Sequence, residues 1–459
     1  MPPLSNLATR DVETLIHPYT PLHKHREMGP HVLERGEGIY VWDSTGKRLI
    51  EGMAGLWCTA LGYGNQELIE TATEQMKKLP YTHIFGGKSH DPAIDLAEKL
   101  KEIAPCEVSK VLFSTSGSEA NDTQVKLIWY YNNAIGRPEK KKIIARIKGY
   151  HGVTVASASM TGLPANHMDF DLPIKNILHT SCPHYYRFGQ DGETEDEFCD
   201  RMAREFEEMI IQEGPETVAA FIAEPVGGAG GVTVPPPGYY PKMRAICDKY
   251  DIMMIADEVI CGFGRLGEMW GAQAMDFEPD TVSCAKALTS AYMPLSAVLL
   301  PERMYEAMVD ESEKIGTFGH GYTYAAHPVA AAVGAKAIEI YERDGIPARA
   351  KAMGVAFQER IRQLGDHSLV GEGRGVGMIG AVELVADKAT KAPFDTKAGV
   401  GAACTRMLVE EGVILRNLGD TVAVCPPLII EEDEMHTLFD ALERALDRTE
   451  AWVTKEGFR

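Results

Sequence analysis

Two apolar segments with charged ends constrain this chain more than any other feature in it. Ile252–Ala256 is an unbroken apolar run that ends in an acid, Asp257. About 30 residues later, the length of one strand–helix–strand unit, the segment Thr281–Ala285 ends in a lysine, Lys286. Read as neighbouring strands of one sheet, they set an anion and an amine at the strand ends, where open α/β folds bind ligands.

That pair matches the needs of one cofactor. Pyridoxal phosphate works as an electron sink, best with its ring nitrogen protonated, and a carboxylate beside that nitrogen raises its pKa. A lysine holds the aldehyde as a Schiff base and, once released, serves as general base and acid. The plainer alternative is a helix-capping Asp257 and a solvated Lys286. A third part lies upstream, where Val111–Ser114 reads as a short buried strand. Thr115-Ser116-Gly117-Ser118-Glu119-Ala120-Asn121 follows, and then helical spacing at Val125, Ile128 and Trp129. A Gly-Ser pair at a strand-to-helix turn offers free N–H groups, a hydroxyl and the positive end of a helix dipole to a phosphate. An ordinary serine N-cap with Glu119 in the first turn is the alternative. No Gly-Lys-Ser/Thr follows, so this is not a P-loop.

The motifs together resemble the class III, fold type I, pyridoxal-phosphate aminotransferases, and most of all the ω-transaminases that use pyruvate as amino acceptor. They are Ser116-Gly117-Ser118-Glu119-Ala120-Asn121, Gly149-Tyr150-His151-Gly152, Glu224-Pro225-Val226, Asp257-Glu258-Val259 and Lys286-Ala287-Leu288-Thr289-Ser290. Gly319-His320-Gly321-Tyr322-Thr323-Tyr324, leading to His327-Pro328, completes the set. The resemblance runs from about His17 to about Leu446. It implies that Lys286 carries the cofactor and Asp257 pairs with its ring nitrogen. Val259 and Tyr150 would cover the two ring faces, and Gly117 and Ser118 would hold the phosphate. Ser116, His151 and Glu224 would belong to the cofactor side of the site. Thr323 would reach the phosphate of a neighbouring subunit's cofactor, which implies a homodimer, or a dimer of dimers, with active sites at the subunit interface. Trp57, Phe85 and Tyr150 would line the substrate pocket, and Arg416 would be a mobile arginine that meets a substrate carboxylate.

The chain departs from that pattern at Ala287 and Ala291, where such enzymes usually carry glycine. An added methyl costs little only if the backbone there is in an ordinary region. Activity is expected to survive both alanines, with less space around the lysine.

Composition narrows the class further. A formal charge of −20 disfavours nucleic acid and anionic membranes as partners. No apolar run reaches the roughly 18 residues of a membrane span. The start, Met-Pro-Pro-Leu-Ser-Asn, has neither a basic nor an apolar leader region, so a cytoplasmic location is expected. The nine cysteines are scattered, odd in number and without a C-x-x-C pair, which fits reduced thiols. The 14 histidines show no H-E-x-x-H or paired metal spacing. No metal site is expected, and His83, His151 and His320 read as structural hydrogen-bonders.

Buried strand-like runs recur at 111–114, 142–147, 219–223, 252–256, 281–284 and 297–300, with helical stretches between most of them. The alternation predicts an α/β fold with a mostly parallel sheet flanked by helices. Helices are expected at 66–79, 92–103, 328–343, 348–364 and 431–449, and strands near 376–384 and 421–424. A hairpin is expected around Asp43-Ser-Thr-Gly46. Residues 1–35 look extended. The expected organisation is an N-terminal segment, 1–60, that packs with a smaller α+β domain, 331–459. The large cofactor domain, 61–330, lies between them, so the small domain draws on both chain ends.

Arg416 precedes Asn417-Leu-Gly419-Asp420 and reads as a residue of a flexible loop. A transaminase binds two substrates in turn, and a fixed buried arginine left unpaired by a plain amine would cost several kcal/mol. An arginine that turns inward only for the acid avoids that cost and still offers a bidentate contact. The function that the resemblance implies is ping-pong transfer of an amino group, through pyridoxamine phosphate, from a primary amine or ω-amino acid to a keto acid, with pyruvate the favoured acceptor. β-Alanine, taurine, polyamines and aromatic amines all remain open as donors, and pyruvate, glyoxylate and 2-oxoglutarate as acceptors. An aminomutase, racemase or decarboxylase on the same fold is the rival reading, because the cofactor carries the chemistry. A cofactor-sensing regulator would need a nucleic-acid-binding module, which this acidic chain does not show.

Overall fold

A computed structural model describes residues 4–459. Its centre is a seven-stranded sheet in the spatial order Lys110–Ser114, Ser296–Leu300, Thr281–Cys284, Met253–Asp257, Val218–Ala223, Lys142–Arg146 and Ile177–Thr180. Six of these strands run in one direction, five of them as adjacent parallel pairs. Ser296–Leu300 runs antiparallel to both of its neighbours. Val218–Ala223 and Met253–Asp257 are buried along their whole length, the pattern of strands covered on both faces. One face is covered by the helix Gly117–Ala134, which buries Val125, Leu127 and Ile128 against Ile143, Ile222 and Ile255. On the other, the helices Glu195–Glu213 and Tyr239–Lys249 pack Phe198, Phe206 and Met243 on Phe221 and Met254. Each fully buried side chain of this size contributes about 1.5–3 kcal/mol.

The register aligns the strand ends that matter. Asp257 pairs with Ser283, so Asp257 and Lys286 leave the sheet at the same edge from adjacent strands. The sixth expected strand, Ser296–Leu300, and the first, Lys110–Ser114, meet at Ser296 and Ser114, whose hydroxyls lie 2.6 Å apart. The edge strand Ile177–Thr180 was not expected. It is four residues long and half of it is only partly buried, too weak a period to read.

Two smaller four-stranded sheets flank the centre. The hairpin Tyr40–Asp43/Arg48–Glu51 turns where expected, with Asp43 Oδ1 accepting from the backbone of Thr45 and Lys47. Arg48–Glu51 then pairs in parallel with Val413–Ile414, which joins the N-terminal segment to the C-terminal third. The other sheet holds Val370–Val376, Ile379–Leu384, Thr421–Val424 and Arg416–Leu418. Pro328–Arg343 is a helix with the expected bounds, and the last helix runs on to Glu456.

Residues 1–35 are not simply extended. Helices form at Asn6–Thr14, where the Ser5 hydroxyl caps Ala8 N–H, and at Leu22–Met28. Periodicity was faint there because only Ala8 and His25 of these helices are buried. The two alanines also differ from each other. Ala287 has ordinary backbone, but Ala291 sits at φ +64°, a left-handed conformation that costs an L-residue about 1–2 kcal/mol and glycine nothing comparable.

Candidate active site

Ten of the residues assigned from sequence converge on one cavity of about 260 Å³ at the carboxyl edge of the central sheet. Lys286 and Asp257 form its floor, with Val259, Gly117 and Ser118 beside them. Tyr150, His151 and Glu224 come from the adjoining loops, Trp57 from the short helical turn Ala54–Trp57, and Arg416 from a strand of a flanking sheet. A larger and more open cavity of about 870 Å³ lies elsewhere and contains neither Lys286 nor Asp257.

Asp257 is 2% exposed and held from three sides. Asn121 Nδ2 donates to its Oδ2 at 2.8 Å, His151 Nδ1 lies 2.7 Å from the same oxygen, and Val259 N–H donates to Oδ1 at 3.1 Å. Asn121 Nδ2 also donates to His151 carbonyl oxygen at 2.8 Å, so one amide ties the acid to its imidazole partner. In the sequence Asn121 stands out only as the last residue of the Ser116–Asn121 motif. Its signal was its place one helical turn after Gly117, facing the sheet. Glu224 is equally fixed. Its Oε1 accepts from Tyr150 N–H and its Oε2 from Gly228 N–H, both at 2.9 Å, while burial pushes its pKa up.

Lys286 opens a short 3-10 turn at φ +51°, a conformation that L residues avoid and that clusters at functional sites. Burial pushes its amine pKa down, and the nearby charge of Asp257 opposes that shift. Among the described residues no carboxylate lies within salt-bridge distance of it. Trp57 is strained as well. It is 3% exposed at φ +66°, an outlier for so bulky a residue.

The remaining assigned residues do not join the cavity. Ser116 is exposed, and its hydroxyl accepts from Glu119 N–H at 3.2 Å as a helix N-cap, the plainer of its two readings. Phe85 is 47% exposed and packs near Gly321, and Thr323 is exposed in the same loop. Arg416 needs a correction. It begins a strand that pairs with Thr421–Val424, because Gly419-Asp420 makes a tight hairpin and not a flexible loop. Its guanidinium is partly buried, burial lowers its pKa, and it has no acidic partner among the described residues. Tyr19 and Leu418 also line the cavity. Sequence gave no sign of Tyr19, which lies between the two unexpected N-terminal helices.

The residues present fit pyridoxal phosphate. The Gly117–Ala134 helix presents its N-terminal N–H groups to the cavity, a site for an anion. Space there is tight: a Cβ on Gly152 would fall 2.5 Å from Ser118 Oγ, and one on Gly117 would fall 3.0 Å from Val259. Asp257 Oδ1 accepts only one backbone hydrogen bond, which leaves it able to take a proton donor from the cavity side.

The family model for class-III aminotransferases matches residues 22–446. The chain is 48% identical over 442 residues to γ-aminobutyrate transaminase 1, mitochondrial, of Oryza sativa subsp. japonica, covering 96% of this chain and 86% of that one. The ω-transaminase of Pseudomonas jessenii, solved in complex with PMP, superposes with a TM-score of 0.96 at 51% identity and covers 98% of this chain and 99% of its own. A transaminase solved with L-Ala has a TM-score of 0.91 and 55% identity, covering 92% of this chain and 100% of that one.

Proposed function

The chain belongs to the class-III aminotransferases and is a pyridoxal-phosphate-dependent transaminase, and from that premise we propose that it passes an amino group from a primary amine or ω-amino acid to pyruvate. One observation carries the choice of acceptor: Arg416, a partly buried guanidinium in the cavity without an acidic partner. A small keto acid supplies the missing carboxylate. The 55% identical transaminase solved with L-Ala supports this reading, since L-alanine is what pyruvate becomes on accepting an amine.

Bound pyridoxal phosphate would supply the electron sink. The chain's own residues do the rest. Lys286 would hold the cofactor covalently, and its Nζ, with a pKa lowered by burial, would take a proton from the substrate carbon and return it. Asp257, locked by Asn121 and His151, would keep the ring nitrogen protonated. Gly117 and Ser118 would hold the phosphate, and Val259 and Tyr150 would orient the ring. Trp57 would close the apolar side of the pocket and limit water.

Arg416→Ala is the test of this reading. Loss of a charge-assisted bidentate contact, about 1.5–3 kcal/mol per hydrogen bond, should lower kcat/KM for pyruvate roughly 10–100-fold. Single-turnover reaction with amine alone should change far less. Equal loss in both half-reactions would make Arg416 a structural residue of its hairpin.

The assembly belongs to the same proposal. Phe85 and Thr323 form one exposed patch away from their own chain's Lys286, as expected if each completes the site of a second copy in a homodimer. Mixed and reassembled, inactive Lys286→Ala and Thr323→Glu chains should regain activity in the heterodimer, which has one intact site. Failure of complementation, with heterodimers present, would overturn the shared site. We place the enzyme in the cytoplasm. No helix among the described residues is long and apolar enough to cross a membrane, and all nine cysteines are free thiols, as a reducing compartment allows.

A further inference from the structure

Three side chains outside the cavity converge near the chain's start. Asp11 lies on the helix Asn6–Thr14, His25 on the helix Leu22–Met28, and His17 in the connection between them. Their ligand-capable atoms all lie within 4.8 Å of one another. Both imidazole Nε2 atoms approach the same oxygen, Asp11 Oδ1, at 2.9 Å from His17 and 3.1 Å from His25. The two rings lie 4.1 Å apart and are tilted by 30°.

Hydrogen bonding does not account for this arrangement. His17 Nε2 is hydrogen-bonded to Asp11, whereas His25 Nε2, 3.1 Å from the same oxygen, lies off its hydrogen-bonding direction and has no other partner, and His25 is only 8% exposed. Buried polar atoms without partners are uncommon enough to require a reason. Two imidazoles and a carboxylate turned toward one point are the donor set of a borderline transition cation. A tetrahedral ion with bonds of about 2.0–2.1 Å spaces its ligand atoms roughly 3.3 Å apart, a few tenths beyond the two separations from Asp11 Oδ1. The ligands come from two helices and a linker. Their spacing of six and then eight residues follows no familiar motif, which is why the sequence predicted no metal.

We propose that Asp11, His17 and His25 bind one divalent transition-metal ion, Zn²⁺ or a cation of similar preference, which ties the first two helices together. The tie has a structural consequence. Tyr19 stands between His17 and His25 at φ +52° and lines the cavity. Its hydroxyl accepts from Asn166 Nδ2 at 2.7 Å, and its ring lies edge-on to Tyr150 at 6.4 Å. An ion at this site fixes both ends of the segment that presents Tyr19. The site does not depend on the choice of amine or acceptor.

The experiment uses the untagged, cofactor-loaded enzyme, stripped with a chelator and dialysed against Zn²⁺ or Co²⁺. Elemental analysis should find one ion per chain, and Co²⁺ should give the visible bands of a low-coordinate nitrogen and oxygen site. Zn²⁺ should slow hydrogen exchange across the first two helices. His17→Ala and Asp11→Asn should each weaken binding by at least the roughly 10–100-fold that loss of an outer-sphere partner costs. Both lie at partly exposed positions, and the thermal midpoint of the metal-free variants checks that they fold. Absence of saturable binding overturns the proposal. So does binding that survives both substitutions, whether at surface histidines or at His184, Glu372 and Glu383, where Arg374 already pairs with both carboxylates.

Discussion

Lys286→Ala is expected to lower turnover by roughly 10²–10⁴-fold or more, the range for removing a positioned general acid–base, with loss of the covalent bond to the cofactor added to it. Three features of the position support so large an effect. Lys286 is the only lysine among the described residues that line the cavity, burial favours its neutral amine, and its left-handed backbone is held by the turn that follows. Steady-state rates with any accepted amine measure the loss. The companion measurement is retention of visible cofactor absorbance after gel filtration, which should fall away in the variant while the far-ultraviolet dichroism stays native. A variant that keeps both the absorbance and the rate would remove Lys286 from the chemistry.

Asp257→Asn should lower kcat about 10²–10³-fold, the cost of losing a preorganised charge at the reacting group. Asparagine keeps the size of the side chain and can still accept from Val259 N–H. It presents an amide to His151 Nδ1, 2.7 Å away, and brings no negative charge to the ring nitrogen. KM should move less than kcat, because the acid would act on the cofactor and not on the substrate. Near-normal kcat would reduce Asp257 to a strand-end residue. A fall in thermal midpoint matching the activity loss would point to a structural role instead.

The parts of this architecture that sequence revealed are those governed by local chemistry. Val218–Ala223 and Met253–Asp257 were legible because strands covered on both faces must be apolar throughout. Ser116 and Gly117 marked the start of a helix through the capping preference of serine and the steric freedom of glycine. Pro328 and Arg343 bounded a helix as first-turn proline and last-turn cation do. Where burial was slight, as in Ile177–Thr180 and the first two helices, the period was too weak to see.

The site divides in the same way. Sequence by itself determined the family and singled out Asp257, Lys286 and the Gly117-Ser118 turn, which the structure brings to one cavity, because each stands at a fixed place relative to a strand end. Only the tertiary structure decided which groups surround them. It put Asn121 and His151 on Asp257, and Tyr19 in the cavity wall. It took Ser116 out of the cavity as a cap and left Phe85 and Thr323 on an exposed patch. It also showed Arg416 anchored in a hairpin, and His17 and His25 facing Asp11. The physical reason is range. Propensity, capping and periodicity act over a few residues along the chain, whereas Asn121 meets Asp257 across 136 positions and only after the sheet has formed.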